Sequence, residues 1–240
     1  LVSIIHVNNE TGSIQPIKEI GKIVKSNSSA LLHVDHVQGI GKVPLSLDEG
    51  LIDLCTMSSH KFHGLKGNGI LYIKEGTKLS PIMSGGNQEL TLRSGTENVA
   101  GIVSTVKALR MTLENMEKHV HNLNQLQRWL IEKLEKLKGV TVNTNFEMSA
   151  PHIVNFSVPS IKSETLIHAL GQEKIFVSTT SACSSKRKAP SKTLLAMGKS
   201  KQIAESGIRV SFTYSTTKEE LIQFLNVLSK AIEKIQQVTR

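Results

Sequence analysis

The sequence predicts an α/β fold: a mostly parallel sheet with helices on both faces, followed by a smaller α+β C-terminal domain. Three observations predict it. Short continuous apolar runs alternate with segments of helical periodicity, the pattern of strands buried on both faces of a parallel sheet. The second half changes character and opens with a long amphipathic helix before further strands. Polar residues able to carry chemistry stand just past the strand ends, where ligands of open α/β sheets sit. The boundary falls in the helical stretch 97–138, giving domains 1–115 and 116–240.

Taken in order, Leu1–Val7 is a buried strand, ended by the loop Asn8-Asn9-Glu10-Thr11-Gly12. Pro16 suits the first position of a helix. Ile17, Ile20, Ile23 and Val24 carry that helix to about Lys25. After the turn Ser26–Ser29 come a strand at Leu31–Val34 ending at Asp35, and another at Leu51–Met57 ending at Ser58. Gly69–Ile73 returns as a hairpin-like strand. In the long helical stretch Leu123, Leu126, Leu130, Leu134 and Leu137 form one stripe, and Gly139 is a natural stop. Then follow a strand at His152–Val158, a helix at Glu164–Leu170, and strands at Ile175–Ser178 and Ile208–Phe212. Thr216 and Glu219 have capping-box spacing for a last helix that buries Leu221, Phe224, Leu225, Leu228 and Ile232.

Composition narrows the function classes. No apolar run approaches the roughly 20 residues of a membrane span. The start, Leu1-Val-Ser-Ile-Ile-His-Val7, has neither the basic head nor the cleavage site of a signal peptide, and it opens inside a buried strand. It reads as the start of a fragment. The net charge of +9 is spread along helical faces with few aromatics, which favours ordinary solvation, then an acidic partner, over nucleic acid. Two cysteines make no disulfide framework and suit a reducing cytoplasm. Cys55 lies in an apolar run and reads as buried and inert, whereas Cys183 lies in a polar stretch.

The chemistry centres on Ser58-Ser59-His60-Lys61. A lysine becomes nucleophilic when burial or a neighbouring cation lowers its pKa. Lys61 follows an apolar strand, between His60 and His63, with Gly64 and Gly67 beyond to admit a cofactor. Ser58 and Ser59 offer hydroxyls to a phosphate. Lys61 is the candidate Schiff-base lysine and Asp35 the candidate carboxylate for a pyridine nitrogen. Taken singly, a surface lysine and a capping aspartate are the plainer readings. Cys183, in Ser181-Ala-Cys-Ser-Ser185, precedes Lys186, Arg187 and Lys188, cations that favour a thiolate. The alternative there is a solvated loop with an incidental thiol. Arg209, between apolar neighbours in a strand, calls for a partner: a substrate carboxylate or a structural salt bridge. No residue is assigned to a metal ion.

Five motifs in order carry a resemblance: Val-Asn-Asn-Glu at 7–10, His-Val-Asp-x-x-Gln at 33–38, Ser-x-His-Lys at 58–61, Arg-Ser-Gly-Thr at 93–96 and Ser-Ala-Cys-Ser at 181–184. Together they resemble the cysteine desulfurases of the NifS/IscS type, pyridoxal-phosphate enzymes of the aspartate-aminotransferase fold. The resemblance implies that Lys61 forms the Schiff base and that Asp35 pairs with the pyridinium nitrogen, keeping the ring an electron sink. It implies that Gln38 bonds the phenolic oxygen, Val37 packs beneath the ring, and Ser58 and His60 bind the phosphate. Thr96 would reach the phosphate bound to the other subunit of a homodimer. Asn9 and Arg209 would hold the carboxylate side of the substrate, L-cysteine. Cys183 would take the sulfur as a persulfide and pass it to an acceptor, an iron–sulfur scaffold or a tRNA-thiolating enzyme, leaving L-alanine.

Departures from the family pattern are His36, where a small residue is usual, Leu65 in place of Pro, and Leu90-Thr91 in place of Arg-Gly. The family's glycine-rich phosphate loop and ring-stacking histidine would lie upstream of Leu1. An N-terminally incomplete chain is therefore expected to bind the cofactor poorly. Two other readings stand beside the desulfurase. One is a different fold-type I enzyme, an aminotransferase or selenocysteine lyase; an aminotransferase has no use for a thiol at 183. The other is an inactive truncated protein retaining only dimerisation or partner docking.

Overall fold

The computed structural model describes residues 1–179 and 189–238. The chain divides into two compact units: Leu1–Val7 with Gln15–Met116, and Asn8–Ile14 with Glu117–Arg240.

The first unit contains β1 (Val2–Ile5), α1 (Ile17–Asn27), β2 (Leu32–Asp35), β3 (Leu54–Ser58), β4 (Gly69–Ile73) and α2 (Val99–Glu114). Its sheet has the order β1-β2-β3-β4, with β1, β2 and β3 parallel and β4 antiparallel beside β3. Ile5 stands opposite Asp35, and Asp35 opposite Thr56. All three parallel strands therefore leave the sheet at one edge, and Gly69 enters it there beside Ser58. Leu32, Val34 and Cys55 bury their side chains with Ile17 and Ile52 as the core. The run Leu51–Met57 yields a shorter strand than expected, starting at Leu54, and Asp53 just before it is tied to its neighbours by its side chain. Its carboxylate binds Lys25 of α1 and accepts the Leu32 N–H at 2.7 Å. Pro16 is the N-cap of α1 rather than its first residue.

The second unit contains α3 from Glu117 of the helix Met116–Leu134, then β5 (Thr141–Val142), β6 (Ile153–Ser157), α4 (Ser163–Gln172), β7 (Ser178–Thr179), α5 (Lys192–Ala196), α6 (Lys201–Glu205), β8 (Gly207–Ser211) and α7 (Lys218–Val238). Its antiparallel sheet runs β5-β6-β8-β7. The leucine stripe of α3 behaves as expected. Leu123, Leu130 and Leu134 are buried, and Leu126 and Leu137 pack beside them against Phe156, Phe224 and Leu228. Gln127 lies on the same face, fully buried, and its amide donates to the carbonyls of Ala150 and Ile153, both at 2.9 Å.

Two expectations need correction here. The capping box of α7 uses Thr217 and Glu220: Thr217 N–H donates to the Glu220 carboxylate at 2.8 Å, and Glu220 N–H donates to Thr217 Oγ1 at 3.2 Å. The strand expected at Ile175–Ser178 reduces to Ser178–Thr179. Phe176 within that apolar run is 86% exposed, so no neighbouring surface rewards continuing the strand.

Residues 8–14 are knitted into the second unit by polar contacts. Asn8 Oδ1 accepts the N–H groups of Glu10 and Thr11 at 2.9 and 3.0 Å, closing a turn. Thr144 donates to the Thr11 carbonyl at 3.0 Å, and the Asn155 amide to the Glu10 carbonyl at 3.0 Å.

Candidate active site

The carboxyl edge of the first sheet holds most of the residues singled out by the sequence. Asp35 ends β2, half-buried, and its Oδ1 accepts the Val37 N–H at 2.9 Å, so the carboxylate is fixed by its own turn. Val37 and Gln38 are half-buried on that turn. Backbone bonds carry it forward: the Gly39 and Ile40 N–H groups reach the His36 carbonyl at 3.0 Å, and those of Lys42 and Val43 reach the Gly39 carbonyl at 2.9 and 2.8 Å. Asp35 to Val43 is thus one hydrogen-bonded segment.

His36 does not crowd the space before Asp35. Its ring turns into the protein and stacks on His6, with centroids 4.9 Å apart and the two Nδ1 atoms 2.8 Å apart. One of these nitrogens must donate and the other accept, so one proton lies between the two Nδ1 atoms. Burial first, then the neighbouring His6 and Lys42, push His36 down to about 3; burial lowers His6 as well. Both rings are neutral at pH 7. A Cβ at Gly39 would lie 2.4 Å from His36 Nδ1, so the bulky ring is accommodated by the missing side chain three residues on.

β3 delivers Ser58, half-buried, and then a 3₁₀ turn, Ser59–Phe62. Residues three apart line up on such a turn. Ser59 and Phe62 are fully buried, which leaves His60 exposed and Lys61 half-buried between them. α2 anchors the turn from behind. Thr105 donates to the Gly101 carbonyl at 2.8 Å, so Ser59 donates to Thr105 Oγ1 at 2.9 Å, and Thr112 donates to the Phe62 carbonyl at 3.4 Å. This corrects two expectations. The Ser59 hydroxyl is committed to α2 and not to a phosphate. The smallness of Gly64 serves Ser59, whose Oγ lies 2.0 Å from where a Cβ would stand.

Sequence reasoning missed Lys42. It is 8% exposed, and its ammonium donates to the carbonyls of Lys61 at 2.9 Å and Ile40 at 3.3 Å. Burial, then the charge of Lys61, push it down to about 8. The only signal was its setting after Gly39-Ile-Gly41, small and apolar neighbours unusual for a solvated lysine.

Cys55, inside β3, is fully buried, and burial followed by the charge of Asp35 pushes its thiol up to about 12. It is inert, as expected. In the second unit, Arg209 on β8 donates from Nη1 to the Asn9 carbonyl at 2.7 Å, so the structure brings these two residues together through the main chain. Thr96 is exposed, just before α2. Cys183 and the cations Lys186, Arg187 and Lys188 lie outside the described residues.

The fold is that of an α/β protein whose parallel strands all end at one edge, the place where ligands of open α/β sheets sit. Residues 1–224 match the family model "Aminotransferase class-V", and the chain belongs to that family. It is 40% identical to a cysteine desulfurase IscS of Dictyoglomus turgidum over 240 residues, covering 100% of this chain and 61% of that protein. A cysteine desulfurase IscS of Clostridium botulinum is 41% identical over 242 residues, again with 100% and 61% covered. Among solved structures, a NifS-like protein superposes with a TM-score of 0.89 at 39% identity, covering 97% of this chain and 60% of the other. The chain spans about three fifths of the length of the relatives it matches.

Proposed function

We propose that this chain is part of a pyridoxal-phosphate-dependent cysteine desulfurase: residues 1–115 a portion of the large cofactor-binding domain, and 116–240 the smaller C-terminal domain. The observation that carries the reading is the strand-exit edge, where Asp35 and the turn bearing Lys61 follow neighbouring parallel strands. The donor set suits the cofactor. A carboxylate faces the need of a protonated ring nitrogen, an amine that of an aldehyde carbon, and the hydroxyl of Ser58 with the imidazole of His60 that of a phosphate. Gln38 serves the phenolic oxygen, and Val37 the underside of the ring. Relatives of about 40% identity along the whole chain bear the desulfurase name, which supports the same reading.

When bound, pyridoxal phosphate supplies the electron sink that weakens bonds of the amino-acid substrate. The protein's own residues do the rest. Asp35 keeps the ring nitrogen protonated. Asn9 and Arg209 orient the carboxylate of L-cysteine. The Cys183 thiolate attacks the substrate sulfur: an S–S bond forms as the Cβ–S bond breaks, and the electron pair left on carbon takes up a proton. The products are L-alanine and a persulfide on Cys183, which passes to an acceptor protein in iron–sulfur cluster assembly or tRNA thiolation. Direct contact with nucleic acid is not part of this reading, and the cytoplasm is the compartment it implies. Among the described residues no helix is long and apolar enough to cross a membrane.

A homodimer belongs to the proposal. α2 leaves Val99, Val103 and Val106 about 60% or more exposed, with Ile102 beside them, directly after Thr96. A second copy covering that face would bring Thr96 to the partner's phosphate.

The test is chemical and spectroscopic. With pyridoxal phosphate added, the full-length protein that contains this chain should absorb at about 420 nm, as a lysine-bound cofactor does, and Lys61→Ala should lose the band. Cys183→Ala should keep the band and lose alanine and sulfide formation from cysteine. Undiminished product from Cys183→Ala would overturn the desulfurase reading; a band surviving Lys61→Ala would overturn the lysine assignment.

A further inference from the structure

A buried lysine is uncommon, because taking an ammonium out of water is costly unless it is well bonded. Lys42 meets that cost with main-chain carbonyls. Its bond to Ile40 closes its own turn, and its bond to Lys61, at 2.9 Å, crosses 19 residues to the turn after β3. Lys42 itself is tied back to Asp35 through the bonded segment described above. One ammonium therefore joins the segment that carries Asp35 to the one that carries Lys61.

We propose that Lys42 is a positioning residue for Lys61: it holds the Lys61 main chain at a fixed distance from the Asp35 turn and presents a second positive charge to the Lys61 amine. The role rests on Lys61 being the amine that takes the cofactor. Two ammonium groups held close disfavour each other's charge, and an amine must be uncharged to attack a carbonyl carbon. The reciprocal effect is visible at Lys42, lowered in part by Lys61.

Among the described residues, the remaining titratable groups about this pair are neutral or exposed, or carry negative charge. His36 faces it, stacked on His6 of the segment after β1, and burial holds both rings neutral. His60 and His63, on the turn of Lys61, are exposed. α2 turns Thr105 and Thr112 towards that turn, and its charged Lys107, Arg110 and Glu114 are exposed. Asp35 is the carboxylate on the same edge.

Competitive acetylation of the cofactor-free chain across a pH series, read peptide by peptide by mass spectrometry, gives the titration midpoint of Lys61 without any need for turnover. The midpoint should lie below that of an ordinary lysine, and Lys42→Met should raise it by about one pH unit, a roughly tenfold loss of reactivity at pH 7.5. Lys42→Arg, which keeps the charge, should leave the midpoint low. Should Lys42→Met be recovered unfolded, Lys42→Gln keeps a donor to the Lys61 carbonyl while removing the charge, and should raise the midpoint equally. An unchanged midpoint in the folded uncharged variants overturns the proposal, whatever happens to stability. Absence of the lysine-bound cofactor band in the full-length protein that contains this chain would instead sink the proposed function and leave the coupling of the two lysines standing.

Discussion

At the scale of single residues, the most consequential substitution is His36, a ring where the resembling family has a small side chain. Its inward rotation onto His6 leaves the exit of β2 open and stores a titration in the core. Between pH 6.5 and about 3 the unfolded chain binds a proton at this ring that the folded chain refuses. The stabilisation is therefore complete above pH 6.5 and is lost as pH falls through that window, by on the order of 5 kcal/mol. Urea unfolding of the parent and of His36→Ala at pH 7.5 and pH 4 should show the gap between them narrowing in acid; a gap independent of pH would mean that the ring titrates normally. Thr91 is a second such residue. With Glu89 and Leu90 it adopts positive φ, at +68°, where the family has glycine. A β-branched residue in the left-handed region is strained by about 1–2 kcal/mol, partly offset by the greater unfolded-state entropy of glycine. Thr91→Gly should raise stability by about 0.5–1 kcal/mol in the same assay.

At the scale of elements, helices were the legible part, because apolar side chains recurring at helical spacing have no competing explanation over two or more turns. The α3 stripe and the buried face of α7 show it. The cap of α7 lies one position beyond the expected one for a local reason: Thr216-x-x-Glu219 and Thr217-x-x-Glu220 both have the required spacing, and sequence alone cannot choose between overlapping boxes. Thr217→Ala should cost about 1 kcal/mol, and Thr216→Ala clearly less if Thr217 is the cap. Strand ends were less legible, since pairing depends on a neighbour supplied from elsewhere. The stretch 175–178 is apolar enough for a strand, yet only its last residue finds the β8 edge. In the candidate site, Asp35, Ser58 and Lys61 could be read from their positions after apolar runs. Lys42 could not, because its burial is created by a contact with the turn 19 residues away.

At the scale of the molecule, the apolar face of α2 makes the strongest demand. Val103→Glu with Val106→Glu should shift a dimer to monomer by sedimentation velocity while leaving helix content unchanged; a parent chain that sediments as a monomer at micromolar concentration would count against the second copy. The assignment of residues 8–14 to the second unit was invisible in the sequence, since their bonding partners lie 133 to 200 residues further on. That arrangement has a consequence for biosynthesis. Ribosomes emit roughly 5–20 residues per second, so this early loop emerges on the order of ten seconds or more before Arg209 exists to bind it. During that interval the Asn9 carbonyl is served only by water or by a chaperone. A nascent chain stalled ahead of Thr144 should therefore present residues 8–14 to limited proteolysis, and the released chain should not.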